Sequence, residues 1–100
     1  MGIMVISKRV IDESREKEIL PLLSDLKKLA QAQPGFSSEE LWRHVEKRDE
    51  YLVLRLWDSE EDWENWLSNP QRADIQDKIQ SHLGHKTEYD AYEIIRRTGR

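Results

Sequence analysis

Tyr51-Leu52-Val53-Leu54-Arg55-Leu56-Trp57 is a strand with bulk on both faces. Alternation along extended backbone sends Leu52, Leu54 and Leu56 to one side and Tyr51, Val53, Arg55 and Trp57 to the other. A sheet built around this strand needs cover on both faces, and a short chain has little with which to supply it. The 100 residues make one domain, and such a domain buries roughly two-thirds of its unfolded surface. Leu, Ile, Val and Phe make up 24 of the residues while 36% are charged, enough for folding around one modest core. A partner surface is therefore expected.

The remaining elements follow from periodicity. Ile3 to Ile11 is a β-branched stretch closed by Asp12. From Ser14, read as an N-cap, apolar residues at Ile19, Leu22, Leu23, Leu26, Leu29 and Ala30 make one helix face, with Pro21 predicting a kink or a late start. Gln33-Pro34-Gly35 turns the chain into a second strand, Phe36 to Val45, and Lys47 to Glu50 form a polar tip before the Tyr51 strand. Asp58 or Ser59 caps a short helix, Asn69-Pro70 ends it and opens another, and Gly84 stops that one after Ala73, Ile75, Ile79 and Leu83. Thr87 to Arg97 reads as a fourth strand anchored by Tyr89, Tyr92, Ile94 and Ile95. The order β-α-β-β-α-β is the α+β, ferredoxin-like plan, a four-stranded antiparallel sheet with helices on one face. The other face is left open, and a second copy of the chain is its simplest cover. A homodimer through the open sheet face is the expectation.

Composition removes several function classes. Sixteen basic against 20 acidic residues give a net charge of -4, a poor field for nucleic acid. Without cysteine there is no disulfide framework, thiolate metal site or cysteine nucleophile. No apolar run approaches the ~20 residues of a membrane span, and the amino end has no secretory pattern, so a cytoplasmic protein with no membrane partner is expected. Asp58 to Glu64 holds five carboxylates, which suits a helix start better than a cation. His82 and His85 are separated by Gly84, and no metal site is expected there. Arg96, Arg97 and Arg100 form a solvated basic tail.

Pro34-Gly35-Phe36, then Leu41-Trp42, then Trp57-Asp58-Ser59-Glu60-Glu61-Asp62-Trp63 followed by Trp66-Leu67, resembles the antibiotic biosynthesis monooxygenase family over nearly the whole chain. The resemblance implies a dimeric α/β barrel of two ferredoxin-like sheets, with residues 1–100 as a single domain. It also implies one of several chemistries: cofactor-free oxidation of polycyclic phenols, quinol oxidation, haem degradation, or none. For haem degradation, Trp66 is in place, but Ser7 stands where the pattern has Asn and Gln76 where it has the iron-ligating His. For phenol oxidation, Trp57 and Trp63 match aromatic positions, whereas Val53 replaces an amide side chain and Gln76 a basic one.

A phenol oxidase must hold an electron-rich ring, help it lose a proton and exclude water while the substrate reduces oxygen. With a four-residue tip, Glu46 faces Tyr51, His44 faces Val53, Trp42 faces Arg55 and Glu40 faces Trp57, which puts Glu40, His44, Arg55 and Trp57 on the helix side. His44 then serves as base and Arg55 as phenolate partner, within a pocket of Ser7, Trp57, Trp63, Trp66 and Gln76. The plainer reading pairs Arg55 with Glu40 and packs the tryptophans as core. The expected function is monooxygenase-like oxidation or binding of a small aromatic or quinone-like molecule with no cofactor. A non-catalytic binding or assembly module is the alternative, and a haem protein the third.

Overall fold

A computed structural model describes residues 2–99, and four of its segments join one antiparallel sheet. These are β1 (Ile3–Val10), β2 (Phe36–Arg43), β3 (Glu50–Trp57) and β4 (Glu88–Glu93), in the order β2-β3-β1-β4. Three helices, α1 (Glu16–Gln31), α2 (Glu60–Leu67) and α3 (Pro70–Leu83), complete the ferredoxin-like α+β plan. As expected, Asn69 caps α3, its side chain accepting from the N–H groups of Gln71 and Arg72, and Pro70 opens the helix. Gly84 ends it in the left-handed conformation at φ 75°.

Helix α1 starts at Glu16, one residue later than a Ser14 cap would place it. Asp12 accepts from the Ser14 amide and hydroxyl and caps a single 3-10 turn, Glu13–Arg15, so Ser14 is not the cap of α1. Pro21 lies inside the helix with its ring exposed. The core forms where Ile19, Leu23, Leu26 and Ala30 of α1, Trp66 of α2 and Ile79 of α3 meet Ile3, Val5, Tyr51 and Trp57.

The opposite face of the sheet carries Met4, Ile6, Leu52, Leu54 and Leu56, flanked by Trp42 and Tyr92, which are 49% and 55% exposed. Strand β3 thus has two apolar faces, and the helices cover only one. Strand β4 is shorter than expected: Ile94 keeps a backbone bond to Gly2, but Ile95 is exposed and Tyr89 and Tyr92 are not buried anchors. As an edge strand, β4 has β1 as its only neighbour in the sheet. Arg96 and Arg97 are exposed, and Arg100 lies outside the described residues.

The hairpin register corrects the expected one. Strand β2 ends at Arg43, and the pairs are Arg43 with Tyr51, Leu41 with Val53 and Glu39 with Arg55, three residues away from the four-residue-tip register. The cause is local: His44 Nδ1 accepts from the backbone N–H groups of Glu46 and Lys47, winding the chain into a longer loop. An odd shift reverses the faces of β2. Glu39, Leu41 and Arg43 face the helices, while Glu40, Trp42 and His44 do not.

Candidate functional site

Alternation along β1 sends Ser7 and Arg9 to the same side as Val5, toward the helices, and β3 sends Arg55 there. Both arginines are almost fully enclosed, Arg9 at 3% and Arg55 at 7% exposure. Burying a guanidinium is costly unless it is paired, so its partners reveal what the site is built for. Arg55 donates through Nε to Glu39 Oε1 at 2.8 Å, and its Nη2 lies 2.6 Å from the same oxygen. Arg9 has only a neutral partner: Nη2 donates to Gln76 Oε1 at 3.1 Å, while the buried Nε has no hydrogen-bond partner. Gln76 passes the chain on, donating through Nε2 to Thr87 Oγ1 at 2.8 Å.

Helix α3 brings a third cation, because Arg72 lies one turn before Gln76. Its Nη2 donates to the Tyr89 hydroxyl at 3.1 Å, and Tyr89 sits opposite Ser7 on β4. The guanidinium carbons of Arg55 and Arg72 are 5.2 and 5.9 Å from the centre of the Trp66 ring. Burial pushes the Arg9 guanidinium down to about 10; Tyr89 opposes the fall, and Arg55 and Arg72 add to it. Arg55 is lowered by burial against the pull of Glu39. Arg55 and Arg72 thus meet at one indole ring, with Glu39 paired to Arg55 and with Arg9 near enough to all three to feel their charge. Arginine side chains in proteins keep their charge at neutral pH.

A cleft of about 370 Å³ leads to this group, lined by Leu20, Leu23, Ser24 and Lys27 of α1, Glu39 and Leu41 of β2, and Val53 of β3. Its size suits a small ring system. Glu39 belongs to both cleft and cluster, so the Arg55 ion pair borders the cleft at this residue. Lys27 supplies a cation at the wall.

Of the residues expected at the site, the fold gathers Ser7, Arg55, Trp66 and Gln76. His44 is excluded as a base beside Arg55: it faces away, and its Nδ1 is taken by loop amides. Arg55 pairs with Glu39 rather than Glu40, which accepts instead from Trp42 Nε1. Trp57 is fully buried, edge-on to Phe36 at 5.9 Å and tilted on Trp66 at 5.7 Å, so it packs the core. Trp63 is partly buried, and its indole N–H has no partner. Sequence reasoning missed Arg9, Glu39, Arg72, Thr87 and Tyr89. Arg9 shares the strand period of Ser7 and Arg72 the helix period of Gln76, so both could have been found.

Haem does not fit these residues. The Gln76 amide, at the expected ligand position, is held on both sides by Arg9 and Thr87. His85 bonds backbone oxygens of Lys86 and Val10 at the far end of α3. Among the described residues no group of three or more His, Cys, Asp or Glu side chains could hold a metal ion. Ser59 and Asp62 bond each other in the first turn of α2, so this part of the acidic run acts as a helix cap. Among the described residues no helix is long and apolar enough to cross a membrane.

Comparison with known proteins places this architecture. The solved structure of a mutant form of SnoaB from Streptomyces nogalater, a cofactor-independent oxygenase, superposes with a TM-score of 0.87 at 14% identity, covering 99% of this chain and 98% of that one. Rv0793 from Mycobacterium tuberculosis gives 0.86 at 12% identity over 99% and 100%. A conserved protein from Methanosarcina mazei Go1 gives 0.84 at 17% identity over 92% and 91%. At these identities the likeness is one of fold. A search of curated proteins gives no match. The family model for antibiotic biosynthesis monooxygenases matches residues 1–78, a span that runs from β1 through the Pro34-Gly35-Phe36 turn and the Trp57–Trp63 junction to Gln76. With both expected motifs and the elements from β1 through α2 inside that match, the chain belongs to the antibiotic biosynthesis monooxygenase family.

Proposed function

We propose that this protein is a homodimer that binds a flat phenol, quinol or quinone-like ring in the cleft between α1 and β2–β3, and oxidises it without a cofactor. The observation that carries this reading is the Arg55–Glu39 pair bordering a mostly apolar cleft, with Arg55 and Arg72 over the Trp66 ring and Arg9 nearby. Leu20, Leu23, Leu41 and Val53 supply apolar walls for the ring. Guanidinium groups beside the ring oxygen favour its ionised form, which lowers the cost of losing the phenolic proton. Glu39 is the carboxylate placed to accept that proton, in the role expected of His44. The electrons come from the substrate and dioxygen is the oxidant, which agrees with the cofactor-independent oxygenase among the fold relatives. No protein group is required to change redox state.

The second reading is a ring-binding module with no chemistry. It is favoured by the solid packing of Trp57 and by the removal of the only imidazole expected at the site. Titration with a polycyclic phenol and with a quinone and its quinol, followed by tryptophan fluorescence and an oxygen electrode, tests both. Saturable quenching with dioxygen uptake, both lost in Arg55→Met, is the expected result. Quenching without uptake favours the binding module. Absence of quenching across the panel overturns the ring-binding proposal.

A further inference from the structure

Arg9 is enclosed in the fold without a counter-charge. Its guanidinium has five N–H donors, and a fully enclosed one ordinarily meets a carboxylate or several carbonyls. Here one bond goes to the neutral Gln76 amide, the buried Nε has no partner, and none of the ion pairs among the described residues includes Arg9. The single acid of the group, Glu39, is already taken by Arg55. Arg72 has neutral partners only, donating to the Tyr89 hydroxyl and the Leu67 carbonyl and lying over the faces of Trp66 and Tyr89. Positive charge therefore exceeds negative charge by two between β1, β3 and α3: three guanidinium groups (Arg9, Arg55 and Arg72) against one carboxylate (Glu39).

A fold can keep that imbalance only at a cost in stability, and a bound anion removes it. The surroundings say which kind of anion. The rings of Trp66 and Tyr89 hold the cations in place, and the cleft that shares Glu39 with them is mostly apolar. A small hydrated ion uses neither. An aromatic carboxylic acid uses both, its ring against the apolar cleft wall and its carboxylate on a guanidinium fork.

We infer that the ligand is an aromatic acid, whose carboxylate is bound by Arg9 and Arg72 beside the Arg55–Glu39 pair while its ring occupies the site proposed above. This rests on the ring-binding reading and adds the acidic arm. It predicts that a neutral ring of the same size is a poor ligand. Added salt weakens binding of the acid more than that of the neutral ring, since only the acid gains from the cations.

The test is calorimetric titration of the full chain with 1-hydroxy-2-naphthoate and, separately, with 1-naphthol, which is the same ring without the carboxylate. The naphthoate is expected to bind at least about ten-fold more tightly, a modest return for an enclosed charge-assisted contact. In Arg9→Met the preference for naphthoate over naphthol falls to within about two-fold, because the carboxylate loses a partner that the neutral ring depends on far less. Arg72→Met, at a partly exposed position, is expected to act in the same direction and serves if the Arg9 variant does not fold. Equal affinity for the two ligands in the unmodified chain, or a naphthoate preference that survives in both variants, overturns the acidic arm and leaves ring binding standing. Binding of neither ligand overturns both.

Discussion

Gly35 shows how one residue ties the two halves of the family motif together. It turns with φ +81°, and a Cβ there would overlap the Asp62 side chain. Its carbonyl accepts from the Asp58 amide at 2.8 Å, while Asp62 is engaged with Ser59 at the start of α2. The Pro34-Gly35-Phe36 turn and the Trp57–Trp63 junction are one structure, which is why they occur together in sequence. Gly35→Ala adds left-handed strain to a steric overlap and is expected to lower unfolding free energy by about 2–4 kcal/mol, measured by denaturant titration. Arg9→Met should do the reverse. Removing an enclosed charge that lacks a counter-ion is expected to stabilise the ligand-free protein by about 1–3 kcal/mol, and loss of stability instead would mark Arg9 as a structural residue. Tyr51 gives a prediction in pH. Its hydroxyl donates to Glu16 and accepts from Arg43, and burial followed by the Glu16 bond raises its pKa above 10.0. Above pH 10 the unfolded chain loses this proton before the folded one does, so stability falls as pH rises through the folded value. Tyr51→Phe should therefore cost about 1 kcal/mol at pH 7, and that deficit should shrink when the two proteins are compared above pH 10.

Strands and helices were legible where periodicity was strong. The β3 pattern, the α1 stripe, the Asn69-Pro70 helix start and the Gly84 stop all lie where their residue chemistry puts them. Register was not legible, since it depends on loop length, and the loop is lengthened by a histidine acting as an acceptor for two backbone amides. Histidine has no standing among the usual turn residues, so nothing in the local sequence announced it. That single miss moved His44 off the site and hid Glu39. By contrast, Ser7, Arg55, Trp66 and Gln76, named through alternation and resemblance, are all buried on the helix side, and the same alternation contained Arg9. The functional consequence can be measured. His44→Ala removes the shared acceptor from the loop and should cost about 1 kcal/mol in stability, while aromatic binding and any oxygen uptake stay as in the unmodified chain. A selective loss of uptake with stability intact would return His44 to the site.

The whole molecule is asymmetric in a way that a single copy does not resolve. One sheet face lies under three helices; the other presents Met4, Ile6 and Leu52 with Trp42 and Tyr92 at its margins. A self-complementary patch of this kind is closed most simply by two-fold pairing, which buries the same residues on both copies. The margins are polar as well as aromatic: Glu40 accepts from Trp42, and Lys8 lies 3.4 Å from Glu50, so an apolar centre with a polar rim is already laid out. Leu52 is the informative position, because it is only half-buried in one copy, so a change there falls first on pairing and only then on the fold. Leu52→Asp would set two carboxylates facing each other across the two-fold axis in a desolvated patch. Sedimentation equilibrium is expected to give a dimer for the unmodified chain and a folded monomer for the variant. A monomeric unmodified chain would sink the dimer proposal. The helix side of the sheet is insulated from this change, since Arg55 and Leu52 point to opposite faces of β3. Ring binding retained by the Leu52→Asp monomer would then mean that each copy holds a complete site, whereas its loss would mean that pairing holds the sheet in the curvature the cleft requires.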